Sequence, residues 1–362
     1  MGLFYLLSEK ASILREEFNL RTYDYEYPEE LLAHAPCENR SESRLLDYSK
    51  EIIQHRKFSQ LAEVFQEPCV FVRNNTRVRH ARLFGQKETG GKVECLLTRR
   101  HTSKIWEGLF RPAKRLRQGQ ILTFSEGVSL LILESLSDGH FKVEITDSTD
   151  LEEYLESNGQ VPLPPYIREF EGEPERYQTV FSRELGSSAA PTAGLHFDED
   201  LIRSLQARGH KFVDLTLHIG PGTFQPIDTL DIREFRIHKE FIEVSQECVD
   251  SVQQAMQGDI PVVCVGTTSL RALETVWKVH KNPRPYSGWT DLFLYPGTTV
   301  KTADYLLTNF HLPRSSLLVL VAALIGVRSM QELYNEALKL EYRLFSFGDC
   351  MCIPNLSRTR KR

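Results

Sequence analysis

Apolar residues arrive along this chain in two rhythms. Between residues 68 and 145 they come in short bursts, 69–72 (CVFV), 93–97 (VECLL), 121–124 (ILTF), 128–133 (VSLLIL) and 141–145 (FKVEI). Gly-Gly, Gln-Gly and Asp-Gly turn signals stand between them. Many short strands of this kind predict an antiparallel barrel or sandwich. Residues 157–165 (SNGQVPLPP) then break regular structure and put a boundary near Gly159. Beyond it the spacing predicts helices over 198–207, 248–256 and 269–279, alternating with strands over 211–219, 261–265 and 291–295. That alternation implies an α/β sheet with ligands at the loops past the strand ends. Near the start, Pro28 follows an extended segment and precedes Glu29 and Glu30, as in a first helical turn opening a small α/β unit.

The longest apolar run, 317–327, falls short of the roughly 18 residues a membrane span needs and follows a Pro-Arg-Ser-Ser start, so a buried helix is expected. Residues 1–7 are apolar but lack a basic head and a small-residue cleavage site, which argues against a signal peptide. Seven cysteines occur without CxxC pairs or histidines at finger spacing. Reduced, mostly buried thiols in a cytoplasmic protein, and no metal, are the expectation. A length of 362 residues with 41% hydrophobic and 26% charged content leaves room for two domains.

Charge changes the picture more than composition does. Residues 73–117 hold thirteen Lys or Arg against Glu88, Glu94 and Glu107, a balance of +10 that leaves −15 for the rest of a chain of net charge −5. A polyanion would be drawn to such a face. A merely solvated basic surface is the alternative.

Four loops after the boundary carry the candidate chemistry. Residues 186–197 (GSSAAPTAGLHF) form a small-residue loop ending in His196. Residues 217–224 (LHIGPGTF) set His218 at a strand end against a glycine turn. Residues 265–271 (VGTTSLR) follow a buried strand and open a helix, and 307–316 (LTNFHLPRSS) put an amide, an imidazole and a guanidinium in a row. Each has a plainer reading as a satisfied structural histidine or a helix cap. Together they sit where an α/β sheet binds ligands. No Walker loop, GxGxxG turn, GxSxG elbow or CxxxCxxC cluster is present, so hydride, hydrolase, kinase and radical chemistries lack support.

With residues 111–116 (RPAKRL) and 342–349 (YRLFSFGD), these loops resemble the S-adenosylmethionine:tRNA ribosyltransferase-isomerase family over about residues 21–353. The resemblance implies an α/β body with an inserted antiparallel β-barrel domain. The expected boundaries are 1–20 for an N-terminal extension, 21–70 with 160–356 for the catalytic body, 71–159 for a basic barrel facing tRNA, and 357–362 for a basic tail. It also implies a single-polypeptide enzyme of queuosine biosynthesis that uses S-adenosylmethionine as a ribosyl donor; a monomer is the expectation, although the sequence does not give the oligomeric state. The acceptor would be 7-aminomethyl-7-deazaguanine at the tRNA wobble position, the product epoxyqueuosine-tRNA, and the released molecules adenine and methionine. No metal, membrane or obligate protein partner is implied.

A sulfonium acidifies the ribose C5' hydrogens, so a base near neutral pKa and an acid for the departing adenine are needed. His196, His218 and His311, with Asn309, are the expected catalytic set. Thr192, Gly194, Gly222, Thr267 and Thr268 are expected to bind the co-substrate, with Arg271 or Arg314 holding its carboxylate. Arg77, Arg82, Arg111, Lys114 and Arg115 are expected to meet the tRNA. The chain departs from the family pattern at Asn75, Arg79 and His80, where Asp, Ile and Pro are usual, and at Pro221, where Ala is usual. Arg79 is expected to strengthen the basic strip. Two rivals stand beside this reading, an S-adenosylmethionine-dependent RNA methyltransferase and a non-catalytic tRNA-binding relative.

Overall fold

The computed structural model describes residues 16–136, 139–147, 149–164, 166–167 and 172–357. Most of the expected extension and tail, residues 1–15 and 358–362, lie outside the described residues. The chain divides into two compact units, one drawn from residues through Asn75, Tyr166–Ser182 and from Pro191 onward, the other from Thr76–Pro165 and Arg183–Ala190.

The larger unit is built on a nine-stranded sheet. Its strands are β1 (Arg44–Asp47), β2 (Gln54–Lys57), β3 (Val70–Asn74), β12 (Lys211–His218), β13 (Glu240–Val244), β14 (Val262–Val265), β15 (Tyr286–Thr290), β16 (Tyr305–Asn309) and β17 (Cys350–Pro354), in the order β15-β13-β12-β3-β14-β16-β17-β1-β2. The middle four, β12, β3, β14 and β16, are parallel, and β17 runs antiparallel to β16. β14 is four consecutive buried Val or Cys residues, as a strand covered on both faces requires. Helices α1 (Glu199–Ala207), α2 (Gln246–Gln257), α3 (Thr267–Val279), α4 (Ser316–Ile325) and α5 (Val327–Lys339) pack around it. Asp198, Ser245 and Ser315 cap α1, α2 and α4 by accepting from Leu201, Cys248 and Leu318 amides.

Several expectations need correction. The burst at 69–72 is β3, a central strand of the large sheet, because an all-buried apolar run suits a parallel strand as well as a barrel strand. The expected strand at 291–295 lies instead at Tyr286–Thr290, an edge position where polar Tyr-Ser-Gly precedes Trp289. The apolar run at 317–327 is one helix only to Ile325. Gly326, at φ +82°, ends it, and α5 leaves at 115°. Among the described residues no single helix is long and apolar enough to cross a membrane. Pro28 leads into a single 3₁₀ turn, Glu29–Leu31. Residues 16–20, expected as extension, join the body: Asn19 bridges Asp231, and Arg233 lies over the Phe18 ring at 4.3 Å.

The smaller unit is a closed antiparallel six-stranded barrel of β5 (Arg82–Lys87), β6 (Lys92–Arg100), β7 (Ile105–Arg111), β8 (Ile121–Thr123), β9 (Ser129–Ser135) and β10 (His140–Ile145). Leu83, Val93, Cys95, Leu97, Trp106, Phe110, Leu130 and Val143 belong to its buried core. β5 and β7 escape the hydrophobic pattern because their apolar residues come only in pairs, Leu83–Phe84, Ile105–Trp106 and Leu109–Phe110, broken by Gly85 and by Glu107–Gly108. A parallel pair, β4 (Thr76–Val78) with β11 (Glu184–Ser187), and a helix, Leu151–Asn158, complete the unit. A Cβ on Gly159 would stand 1.7 Å from the His80 carbonyl oxygen, so this position is sterically confined to glycine, and it lies inside the smaller unit, which runs on to Pro165.

Candidate active site

β12, β3, β14 and β16 end side by side, with Asn74 opposite Leu215, and Val265 opposite both Arg73 and Leu307. The loops that leave β12, β14 and β16 are three of the four singled out in the sequence. Gly266 turns the chain out of β14 at φ +88° and donates to the Leu307 carbonyl at 2.8 Å. A side chain there would meet Ala193 and Thr268, so the 3₁₀ turn Thr192–His196 lies directly against the start of α3.

One hydrogen-bonded row crosses this rim. Thr192 Oγ1 donates to Asn309 Oδ1 at 2.9 Å, Asn309 Nδ2 lies 3.1 Å from His196 Nε2, and His196 Nδ1 lies 2.7 Å from Ser43 Oγ. His196, Asn309 and Ser43 are buried, while Thr192 at the end of the row is half-exposed. Burial, helped by Arg343 and Arg40 nearby, lowers the His196 pKa to about 3. The imidazole is therefore neutral at physiological pH with both nitrogens engaged, which makes it a support for Asn309.

A second row starts on β3. Asn74 Nδ2 donates to the Leu217 carbonyl at 2.9 Å and to Thr268 Oγ1 at 3.2 Å, and Asn74 Oδ1 accepts from the Leu217 amide at 3.0 Å. It ties the first turn of α3 to the strand end that carries His218. The His218 ring is half-buried and stacks on Phe241 at 6.1 Å between centroids. Next to Asn74, the buried Asn75 accepts from Thr216 Oγ1 at 2.8 Å.

Glu240, on β13 and almost wholly buried, fastens the glycine turn after His218. Its Oε1 accepts from the Gly220 amide at 3.2 Å and from Thr223 Oγ1 at 2.8 Å, and its Oε2 pairs with Arg271 Nη1. Arg271 also donates through Nε to the Leu292 carbonyl at 2.9 Å, while its Nη2 is buried with no protein partner. A buried guanidinium nitrogen without a protein partner is a donor left unsatisfied by the fold.

The remaining candidates separate. His311 Nε2 lies 2.8 Å from Thr308 Oγ1, its main-chain N–H donates to Tyr334 and its carbonyl accepts from Tyr25, and burial lowers its pKa to about 3. Thr267 is buried in the first turn of α3. Gly194 and Gly222 are packing positions: a Cβ would come 2.7 Å from the Phe181 ring and 2.3 Å from the His238 ring. Arg314 is exposed and paired with Asp24. In the smaller unit Arg111, Lys114 and Arg115 are exposed around the 3₁₀ turn Ala113–Arg115, whereas Arg82 is held by Glu94 at 2.8 Å and Arg77 lies in β4. Arg79 does not strengthen a basic strip: it is mostly buried, pairs with Glu152 at 3.0 Å and packs on Trp106. Among the described residues no group of three or more His, Cys, Asp or Glu is placed to hold a metal.

Ser43, Asn74 and Glu240 carry no signal that singles them out in the sequence as site residues. Asn74 sits inside a segment notable only for its neighbours, and nothing local marks Ser43 or Glu240, whose partners are 153 and 31 residues away.

An α/β sheet with polar loops gathered at the ends of its parallel strands, carrying a separate basic barrel, defines a ligand-binding enzyme fold. The family model described as queuosine biosynthesis protein matches residues 20–353, and the chain belongs to that family. It is 43% identical over 339 residues to the S-adenosylmethionine:tRNA ribosyltransferase-isomerase of Staphylococcus haemolyticus, covering 92% of this chain and 99% of the relative. The protein of the same name from Natranaerobius thermophilus is 43% identical over 341 residues, covering 93% and 99%. The crystal structure of S-adenosylmethionine tRNA ribosyltransferase from Thermotoga maritima matches with a TM-score of 0.52 and 35% identity, over 92% of this chain and 99% of that one.

Proposed function

We propose that this protein transfers and isomerises the ribosyl group of S-adenosylmethionine onto the aminomethyl nitrogen of 7-aminomethyl-7-deazaguanine at the tRNA wobble position. The products are epoxyqueuosine-tRNA, adenine, methionine and a proton. The observation that carries the reading is the convergence of the Thr192, His218, Thr268 and Asn309 loops on the ends of four adjacent parallel strands.

On this reading Arg271 Nη2, a buried donor without a protein partner, takes the methionine carboxylate in preference to the exposed Arg314, each guanidinium already having one carboxylate partner, Glu240 and Asp24. Thr192, Thr267 and Thr268 line the nucleoside side, with the Gly220 turn held by Glu240 beneath it. His196 and His311, with pKa values of about 3, are poor bases at neutral pH. Abstraction of the C5' proton therefore falls to His218, and Asn309 orients the co-substrate. Arg111, Lys114 and Arg115 meet tRNA phosphates, as do Arg77 and Arg82. The chemistry draws on no metal and no second protein, and the enzyme works as a cytoplasmic monomer.

The test is product analysis: with S-adenosylmethionine and tRNA bearing the aminomethyl base, free adenine should appear in step with modified nucleoside. S-adenosylhomocysteine and a methylated nucleoside would instead support the methyltransferase reading. Retained tRNA without turnover would support the non-catalytic one.

A further inference from the structure

The row of hydrogen bonds at the rim takes its direction from its far end, where the Ser43 hydroxyl has two acceptors within reach, the Arg40 carbonyl and His196 Nδ1. Ser43 Oγ lies 3.2 Å from the carbonyl oxygen of Arg40, which can only accept. A hydroxyl has one proton. If Ser43 gives it to Arg40, Ser43 must accept from His196, which places the ring proton on Nδ1. Nε2 is then a lone pair and accepts from Asn309 Nδ2, which fixes the amide with Oδ1 toward Thr192. Thr192 spends its own proton on that oxygen. Toward the open side it has only lone pairs left.

From this geometry we infer that the Thr192 hydroxyl is an obligate hydrogen-bond acceptor in the ligand site, with Ser43 and His196 as the positioning residues that impose this polarity. It selects a ligand that presents an O–H or N–H donor there. Resting on the function proposed above, the donor is a ribose hydroxyl, the adenine amino group or the α-ammonium of the co-substrate. The opposite direction, with Nε2–H donating to a reversed Asn309 and Thr192 offering its proton outward, would select a ligand acceptor and would leave the Arg40 carbonyl without the serine proton.

Two measurements on the full-length protein decide the matter independently. ¹⁵N-edited NMR of histidine-labelled protein at neutral pH should show His196 as the Nδ1–H tautomer, identified by the loss of its signals in His196→Gln. Where that variant does not fold, the shift of the same resonance in Ser43→Ala identifies it. An Nε2–H tautomer overturns the inference, whatever the protein turns over. The second measurement is ligand affinity. Thr192→Ser should bind S-adenosylmethionine as wild type, and Thr192→Val about tenfold more weakly, the scale of one hydrogen bond to a group left unsatisfied. Adenosine, 2'-deoxyadenosine, 3'-deoxyadenosine, purine riboside, S-adenosylhomocysteine and methylthioadenosine then locate the donor: Thr192→Val costs nothing for the compound that lacks it. Equal binding of every compound to both proteins overturns the acceptor role. Failure of wild type to bind any adenosine compound would refute the proposed function while leaving the tautomer result standing.

Discussion

The carboxylate of Glu240 and the guanidinium of Arg271 form an ion pair with side-chain exposures of 3% and 2%. The same carboxylate holds the Gly220 amide and the Thr223 hydroxyl, so one acid on β13 joins the turn after His218 to the start of α3. Glu240→Gln leaves a buried cation without its counter-charge. The expected cost is about 3–5 kcal/mol of folding stability, measured by urea unfolding, with Arg271→Met less costly in combination than the sum of the two.

His218→Asn should lower kcat by about 10²- to 10⁴-fold, the range of a missing general base, with little change in the dissociation constant of S-adenosylmethionine. Single-turnover adenine release and equilibrium binding separate the two quantities. His196→Asn acts through Asn309, so it should weaken binding as well as turnover.

Acid should destabilise the fold through its neutral histidines. In the unfolded chain an imidazole takes a proton near pH 6.5, whereas His196 and His311 do so in the fold only near about 3. Between these values the unfolded state binds more protons, so stability is lost as pH falls. Each histidine contributes about 1.4 kcal/mol per pH unit. Melting temperature measured from pH 7 to 4 should drop accordingly, less steeply in a His311→Gln protein.

Replacing Arg111, Lys114 and Arg115 by alanine should weaken tRNA binding and reduce the slope of log affinity against log salt by about one for each phosphate no longer neutralised. Binding of S-adenosylmethionine should not change. An unaltered salt slope would move the tRNA-facing surface elsewhere.

The alternation that betrays the α/β body is legible because the parallel strands carry short apolar runs and the helices carry caps, as with Asp198 and Ser245. The loops are legible for the same reason, since they interrupt those strands. Pairings across long sequence distances are illegible. Ser43 has no local signature, and the roles of His196 and His311 turn on burial, which changes an imidazole from a base into a support. The polar residues at 79 and 80 also make sense only in three dimensions. Arg79 and His80 face Glu152 and Glu156 on one helix, at 3.0 and 3.9 Å, so both have acidic partners. Asn75 accepts a hydrogen bond that an aspartate would also accept. Because Asn75 is buried, Asn75→Asp places a carboxylate away from water and should lower stability at neutral pH by about 1–3 kcal/mol, measured by urea unfolding.

The central claim is that the ribosyl group, not the methyl group, leaves S-adenosylmethionine for the tRNA. The most direct measurement uses two preparations of S-adenosylmethionine, one labelled in the ribose and one in the methyl group, each incubated with the protein and tRNA bearing the aminomethyl base. Ribose label in the tRNA, with methyl label recovered as free methionine, is the predicted result. Methyl label in the tRNA would contradict it.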